Sequence, residues 1–188
     1  MNLLKLSILT AVFSIISVAG VSQELSEKEQ KKLYRQFRKE QKAEEAEQKA
    51  KTVDWMVRNS RFVLEADQLR DRRGNTNQVL SMVNFVAVDT TEGVIQVGSN
   101  DYVGLNGVGG ITVEGPISDY QFTRREKNGT YNVSYILRTS LGTYNVQMNV
   151  FSDARAEATI SSSWPGKLTY IGSLVPPSAS RVYKGTSY

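Results

Sequence analysis

Between Tyr131 and Val150 apolar and polar residues alternate through two consecutive segments. Tyr131, Val133, Tyr135 and Leu137 share one face of the first, with Asn132, Ser134 and Arg138 on the other. Tyr144, Val146, Met148 and Val150 repeat the pattern, opposed by Asn145, Gln147 and Asn149. A repeat of two residues is that of a β-strand, so each segment has one buried and one wet face. A register slip of one residue would bury the Asn and Gln set, so the pattern admits few pairings.

The rest of the second half follows the same rule. Phe62–Leu69, Val83–Val88, Gly93–Val97, Ile111–Val113, Ile117–Arg125, Ala154–Ser162 and Leu168–Leu174 read as further strands. Asp71–Asn77 is a turn-rich loop, and residues 89–92 join a hairpin. Gly115-Pro116 reads as a kink or bulge that splits a strand. Asn128-Gly129 is the strongest turn signal, because both residues tolerate the positive φ of a type I′ turn. Leu141-Gly142 turns the next hairpin, and Trp164-Pro165-Gly166 separates the last two strands. No segment between strands is long enough for a crossover helix, so the topology is a meander. Eight or nine strands laid flat would expose two edges, and closure into an up-and-down barrel removes both. The expected fold is therefore mainly β: an antiparallel meander closing into a barrel over residues 60–177, with one N-terminal α-helix.

Ahead of the strands stand two segments of different composition. Residues 1–22 carry Lys5, a short apolar run from Leu6 to Val18, and the small residues Ala19, Gly20 and Ser22. These are the parts of a removable export signal. The run falls short of the about 20 residues that span a bilayer, so no stable membrane span is expected after cleavage. Cysteine is absent, so a lipid-anchored cleavage site is excluded. Residues 23–59 are rich in Glu, Lys, Gln and Ala without Gly or Pro, and read as a charged helix. From Ser26 to Lys42 only Leu33, Tyr34 and Phe37 are large and apolar. Ala43, Ala46, Ala50, Val53 and Val57, beside Trp55 and Met56, make a stripe that can dock on a sheet or close a barrel end. Pro176-Pro177 ends the sheet, and residues 178–188 are expected to be a mobile tail.

The 188-residue chain contains no histidine and no cysteine. Ser-His-Asp and Cys-His catalysis, His or Cys zinc sites and disulfides are thereby excluded. The formal net charge is +4, and loss of Lys5 with the signal leaves +3. Basic and acidic residues interleave along the helix, which is a solvated face rather than a nucleic-acid stripe. Gly104–Gly110 is glycine-rich but leads toward a strand with no Gly-Lys-Ser/Thr after it, so it reads as a connector or lid rather than a phosphate loop. Glu65 and Asp67 lie on a wet strand face, and no pair of carboxylates faces another across a cleft. Arg72-Arg73 and Arg124-Arg125 read as solubilising pairs at strand ends. Tyr120, Tyr131, Tyr135, Tyr144 and Tyr170 can fill a barrel or line a ligand cavity with a polar handle. No catalytic residues, metal ligands or cofactor are assigned.

From Phe62 to Pro177 the chain resembles a family of secreted bacterial proteins, domain of unknown function 4251. The likeness rests on Asp101-Tyr102-Val103-Gly104-Leu105, and on Gly110–Ile117 with the following Tyr120. Phe151–Ala156 and Leu168–Gly172 look like the family's closing strands, and the preceding helix suits its layout. The resemblance implies a lipocalin-like barrel in the envelope of a Gram-negative bacterium, and no activity.

The expected function is a non-enzymatic binding module for a small, partly apolar ligand. Tyr102, Leu105, Tyr120, Tyr131, Tyr135 and Tyr144 are the candidate ligand-binding residues, with Tyr102–Gly110 as a lid over an apolar pocket. The rival is an envelope interaction or structural module using the helix or the outer barrel face. The expected location is periplasmic or secreted. Intact mass of the protein recovered from the envelope should show loss of the first 22 residues. A full-length N-terminus held in the inner membrane would exclude export by cleavage.

Overall fold

The computed structural model describes residues 27–99, 107–162 and 166–187. The proposed export signal, Tyr102, Leu105 and the Trp164-Pro165 turn lie outside them. The chain divides into two units, residues 1–42 and residues 43–188. A single helix, α1 (Glu27–Arg58), gives its first half to one unit and its second to the other. Its length follows from 32 residues of good helix formers without Gly or Pro. It stops where Asn59 and Ser60 turn out, Ser60 taking a left-handed φ of 51°.

Among the described residues nine strands form one antiparallel sheet. They are β1 (Arg61–Arg70), β2 (Thr76–Gln78), β3 (Phe85–Asp89), β4 (Glu92–Val97) and β5 (Ile111–Arg125), then β6 (Thr130–Thr139), β7 (Gly142–Val150), β8 (Arg155–Ser162) and β9 (Lys167–Val175). β1 pairs with β3, each strand from β3 to β8 pairs with the next, and β9 pairs back with β1, which closes an eight-stranded barrel. The fold is the expected one, with one addition. β2 lies outside the barrel count, beside the end of β1 that β3 does not reach. It uses residues of the segment read as a loop.

The interior is set by the alternation. Val133 pairs with Met148 and Tyr135 with Val146, and these four with Tyr131 are at most 2 % exposed. Gln147 and Asn149 on the other face are exposed. Ala156 and Ala158 face inward, whereas Ala154, read as the first residue of this strand, sits in the preceding turn with φ 70°.

Two local expectations are corrected. Gly115-Pro116 does not split β5, which runs 15 residues. Pro116 makes the last pairing with β4, and pairing with β6 begins at Ile117. A Cβ on Gly115 would stand 2.0 Å from the Arg138 carbonyl oxygen, so this glycine serves a close approach of strands. The irregularity comes between Ser118 and Gln121, where Asp119 has φ 56°. Nor is Asn128-Gly129 a two-residue type I′ turn. Arg125 pairs with Thr130, which leaves a four-residue loop in which Gly129 alone of the pair has positive φ. Inward packing on β5 and β6 decides the register, and the register decides the loop length.

The C-terminal segment, expected to be mobile, is instead strapped over the outside of the barrel. Glu65 accepts from the Ser180 hydroxyl at 2.8 Å and the Arg181 N–H at 2.9 Å. Glu114 receives Lys184 and Ser187. Between them lies Gln96, fully buried although its strand neighbours Ile95 and Val97 are the ones that face inward. Its amide nitrogen donates to the carbonyls of Val83 (3.1 Å) and Tyr183 (2.9 Å). Its oxygen accepts from Thr112 (2.9 Å) and the Gly185 N–H (2.8 Å). All the hydrogen-bonding capacity of the amide is used. Gln96→Leu would orphan those partners, at a cost of about 2–3 kcal/mol. It should also free residues 180–187, seen as faster tryptic cleavage after Arg181 and Lys184. Cleavage unchanged from the parent protein would refute the role given to Gln96.

Candidate functional site

The barrel has one end closed by its own helix. On α1 the buried contacts are Val53, Met56 and Val57, all fully buried, with Ala50 half-buried. Ala43, Ala46 and Trp55 are exposed, so the docking stripe is shorter than its sequence pattern. Two inward tyrosines tie the helix down. Tyr120 donates to the Val57 carbonyl at 2.7 Å, and Tyr131 donates to the Asp54 carboxylate. Arg58 grips the same carboxylate at 2.9 Å from both oxygens. The Arg58 guanidinium stands over the Phe122 ring and that of Arg124 over the Tyr131 ring.

The opposite end carries a cavity of about 280 Å³. Ile95 and Val97 from β4, Ile111 and Val113 from β5, and Ile160 and Leu168 from β8 and β9 supply its apolar wall. Tyr144, Ser162, Lys167 and Tyr170 supply its polar atoms. Its position follows from topology: the last residues of β4 and β8 and the first of β5, β7 and β9 meet at this rim. Ile111, at that rim, is 55 % exposed, a large apolar residue left beside an opening. Tyr170 is fully buried and donates to the Gln96 carbonyl at 3.2 Å, so its hydroxyl is held in place. Burial raises the pKa of the Tyr170 and Tyr135 hydroxyls. Both stay protonated, and the Tyr170 proton is the one given to the Gln96 carbonyl.

The sequence-predicted site residues are therefore divided. Tyr144 lines the cavity. Tyr120 and Tyr131 belong to the helix-closed end, where burial pushes Tyr120 up to about 12. Tyr135 lies in the barrel interior with its ring centroid 6.2 Å from that of Tyr120. Its hydroxyl is buried with no hydrogen-bond partner among the described residues. Tyr170, one of the tyrosines read as able to line a cavity, does line it, whereas the Ile95–Val97 and Ile111–Val113 pairs were missed although alternation marks them as inward. What alternation does not carry is the level along the barrel at which each sits. Val108, at the described end of the glycine-rich connection, is buried, and its carbonyl accepts from Ser99 at 2.9 Å.

A second hollow of about 350 Å³ runs over the outside of β5–β8, among Gln121, Thr123, Asn132, Ser134, Gln147, Asn149 and Thr159. These side chains are polar and uncharged. Asp67 is exposed at a bulge in β1, while Glu65 serves the strap. Among the described residues no three acidic side chains cluster to hold a metal.

The helix clamp has a pH signature. The Tyr131 hydrogen bond holds the Asp54 carboxyl below its usual value; burial opposes this and Arg58 adds to it. A depressed carboxyl pKa stabilises the fold above the unfolded value near 3.8, and the contribution is lost as pH falls through the folded value. Tyr131→Phe should cost about 1 kcal/mol near neutral pH, a modest figure because Asp54 is partly exposed. Urea unfolding should show this difference shrinking below about pH 4. An equal difference at neutral and acid pH would remove Asp54 from the clamp.

A family model described as a domain of unknown function, DUF4251, matches residues 44–174, more than half of the chain. The crystal structure of a DUF4251 family protein from Bacteroides eggerthii DSM 20697 is similar, with 32% sequence identity and a TM-score of 0.61. The match covers 74% of this chain and 95% of that one. No curated protein matches the chain. With the barrel strands and the second half of α1 in the matched span, the chain belongs to the DUF4251 family.

Proposed function

We propose that this protein is an exported, non-enzymatic binding module that takes a small, partly apolar ligand into the end of the barrel left open by α1. The observation that carries the reading is the cavity itself, with six aliphatic side chains in its wall and polar atoms from Tyr144, Ser162, Lys167 and Tyr170. Such a lining favours a mainly apolar body with a few polar groups. The absence of His and Cys supports a binding role over a catalytic one. Export rests on the Lys5 start, the apolar run and the small residues before Gln23.

Size limits the ligand. At about 280 Å³ the cavity is at the small end of ligand pockets, so the ligand it takes is small. A small environment-sensitive apolar dye should bind saturably. Leu168→Trp, which fills the cavity from its half-buried rim, should abolish binding while the melting temperature stays within a few degrees. Saturable binding that survives Leu168→Trp would move the ligand elsewhere. No saturable binding at all would favour the rival interaction reading, for which the uncharged outer hollow over β5–β8 is the surface.

A further inference from the structure

We infer that the first half of α1 is a peripheral membrane anchor that rests on anionic lipid. Residues 27–42 hold seven Lys or Arg and three Glu, a net charge of +4. Residues 1–26 hold one charge of each sign, and residues 43–188 hold fifteen of each. The entire net charge of the chain thus resides in sixteen helical residues, and the interleaving expected of the whole helix describes only its second half. Charge this concentrated is an electrostatic address, not a diffuse solubilising surface.

The same sixteen residues expose an apolar face. Among the described residues ten large apolar side chains are exposed, and three of them fall within five positions: Leu33, Tyr34 and Phe37, each more than half exposed. At 3.6 residues per turn they occupy one side of the helix. Arg38 borders them, its guanidinium 5.8 Å over the Tyr34 ring, and Lys31, Arg35 and Lys42 continue that basic edge. Glu29 and Glu40 fall along the other edge, so the helix settles on an anionic surface by rolling toward its basic side.

Lipid fits this face better than a protein helix does. The apolar stripe is little more than one turn long, and Gln30, Gln41 and Glu44 interrupt it in both directions. A coiled-coil seam needs apolar positions repeated over several heptads. A bilayer interface asks only for a few aromatic and aliphatic side chains above the headgroups, with cations beside them. Tyrosine, apolar in body and polar at its tip, suits that depth.

The test uses the processed chain, beginning near Gln23, so that the apolar run at 6–18 contributes nothing. It should float with vesicles of phosphatidylglycerol mixed into phosphatidylcholine, stay behind with pure phosphatidylcholine, and release as salt rises. Replacing Arg35, Arg38 and Lys42 by Gln should weaken partition on the order of a hundredfold. Leu33→Ser with Phe37→Ser should weaken it too, with the barrel's melting unchanged in both variants. Binding to both vesicle types alike, or to neither, would overturn the inference. So would equal retention on polyglutamate, insensitive to the Leu33 and Phe37 changes, which would point to an acidic protein partner.

Discussion

Everything in the barrel unit hangs on one pairing, that of β1 with β9. The strands are about a hundred residues apart, and their union turns a meander into a closed wall with no free edge. Loop-closure entropy rises only with the logarithm of the intervening length, so the distance costs little stability, though it slows folding. The join is made by a close backbone approach. A Cβ on Gly172 would fall 2.0 Å from the Glu65 carbonyl oxygen, which leaves glycine as the residue that fits. Gly172 pairs with Ala66 on one side and Ala156 on the other, so three small residues stand in a row. One residue later the extra Asp67 shifts the register, a bulge of the kind that bends a strand around a barrel corner.

The order of strands, the inward set and closure were legible because each depends on alternation, and alternation is local. Errors arose where a long-range decision overrides a local signal. Asn128-Gly129 suggests a tight turn, but packing of Phe122 on Val133 and of Val133 on Met148 fixes a register that leaves four loop residues. Pro116 suggests a break, but it falls where β5 passes from one partner to the other. The strap was invisible for the same reason. Glutamine in a strand reads as a wet-face residue until the chain's last residues bring the groups that satisfy it.

The candidate site shows the sharpest version of this limit. Tyr120, Tyr131, Tyr135 and Tyr144 are equivalent by period, since each points inward or toward the interior. Their chemistry differs through the level each occupies. Two tie down the helix, one is buried in the interior with its hydroxyl unpartnered, and one borders the cavity. Level along a barrel depends on strand tilt and stagger, which the alternation of one strand does not encode.

The barrel is finished by segments at both ends of its own sequence. The second half of α1 fills one opening with Val53, Met56 and Val57, so that end contributes to stability rather than access. The C-terminal strap lies over the outer face of β1, β4 and the start of β5, and Gln96 joins it to the wall of the cavity. The side chain of Gln96 holds Tyr183 and Gly185 outside, while its carbonyl takes the Tyr170 hydroxyl from inside. One residue thus fixes both the strap and the orientation of a cavity tyrosine. Loss of the strap would loosen Tyr170 as well, so occupancy of the cavity and protection of residues 180–187 from protease should rise and fall together.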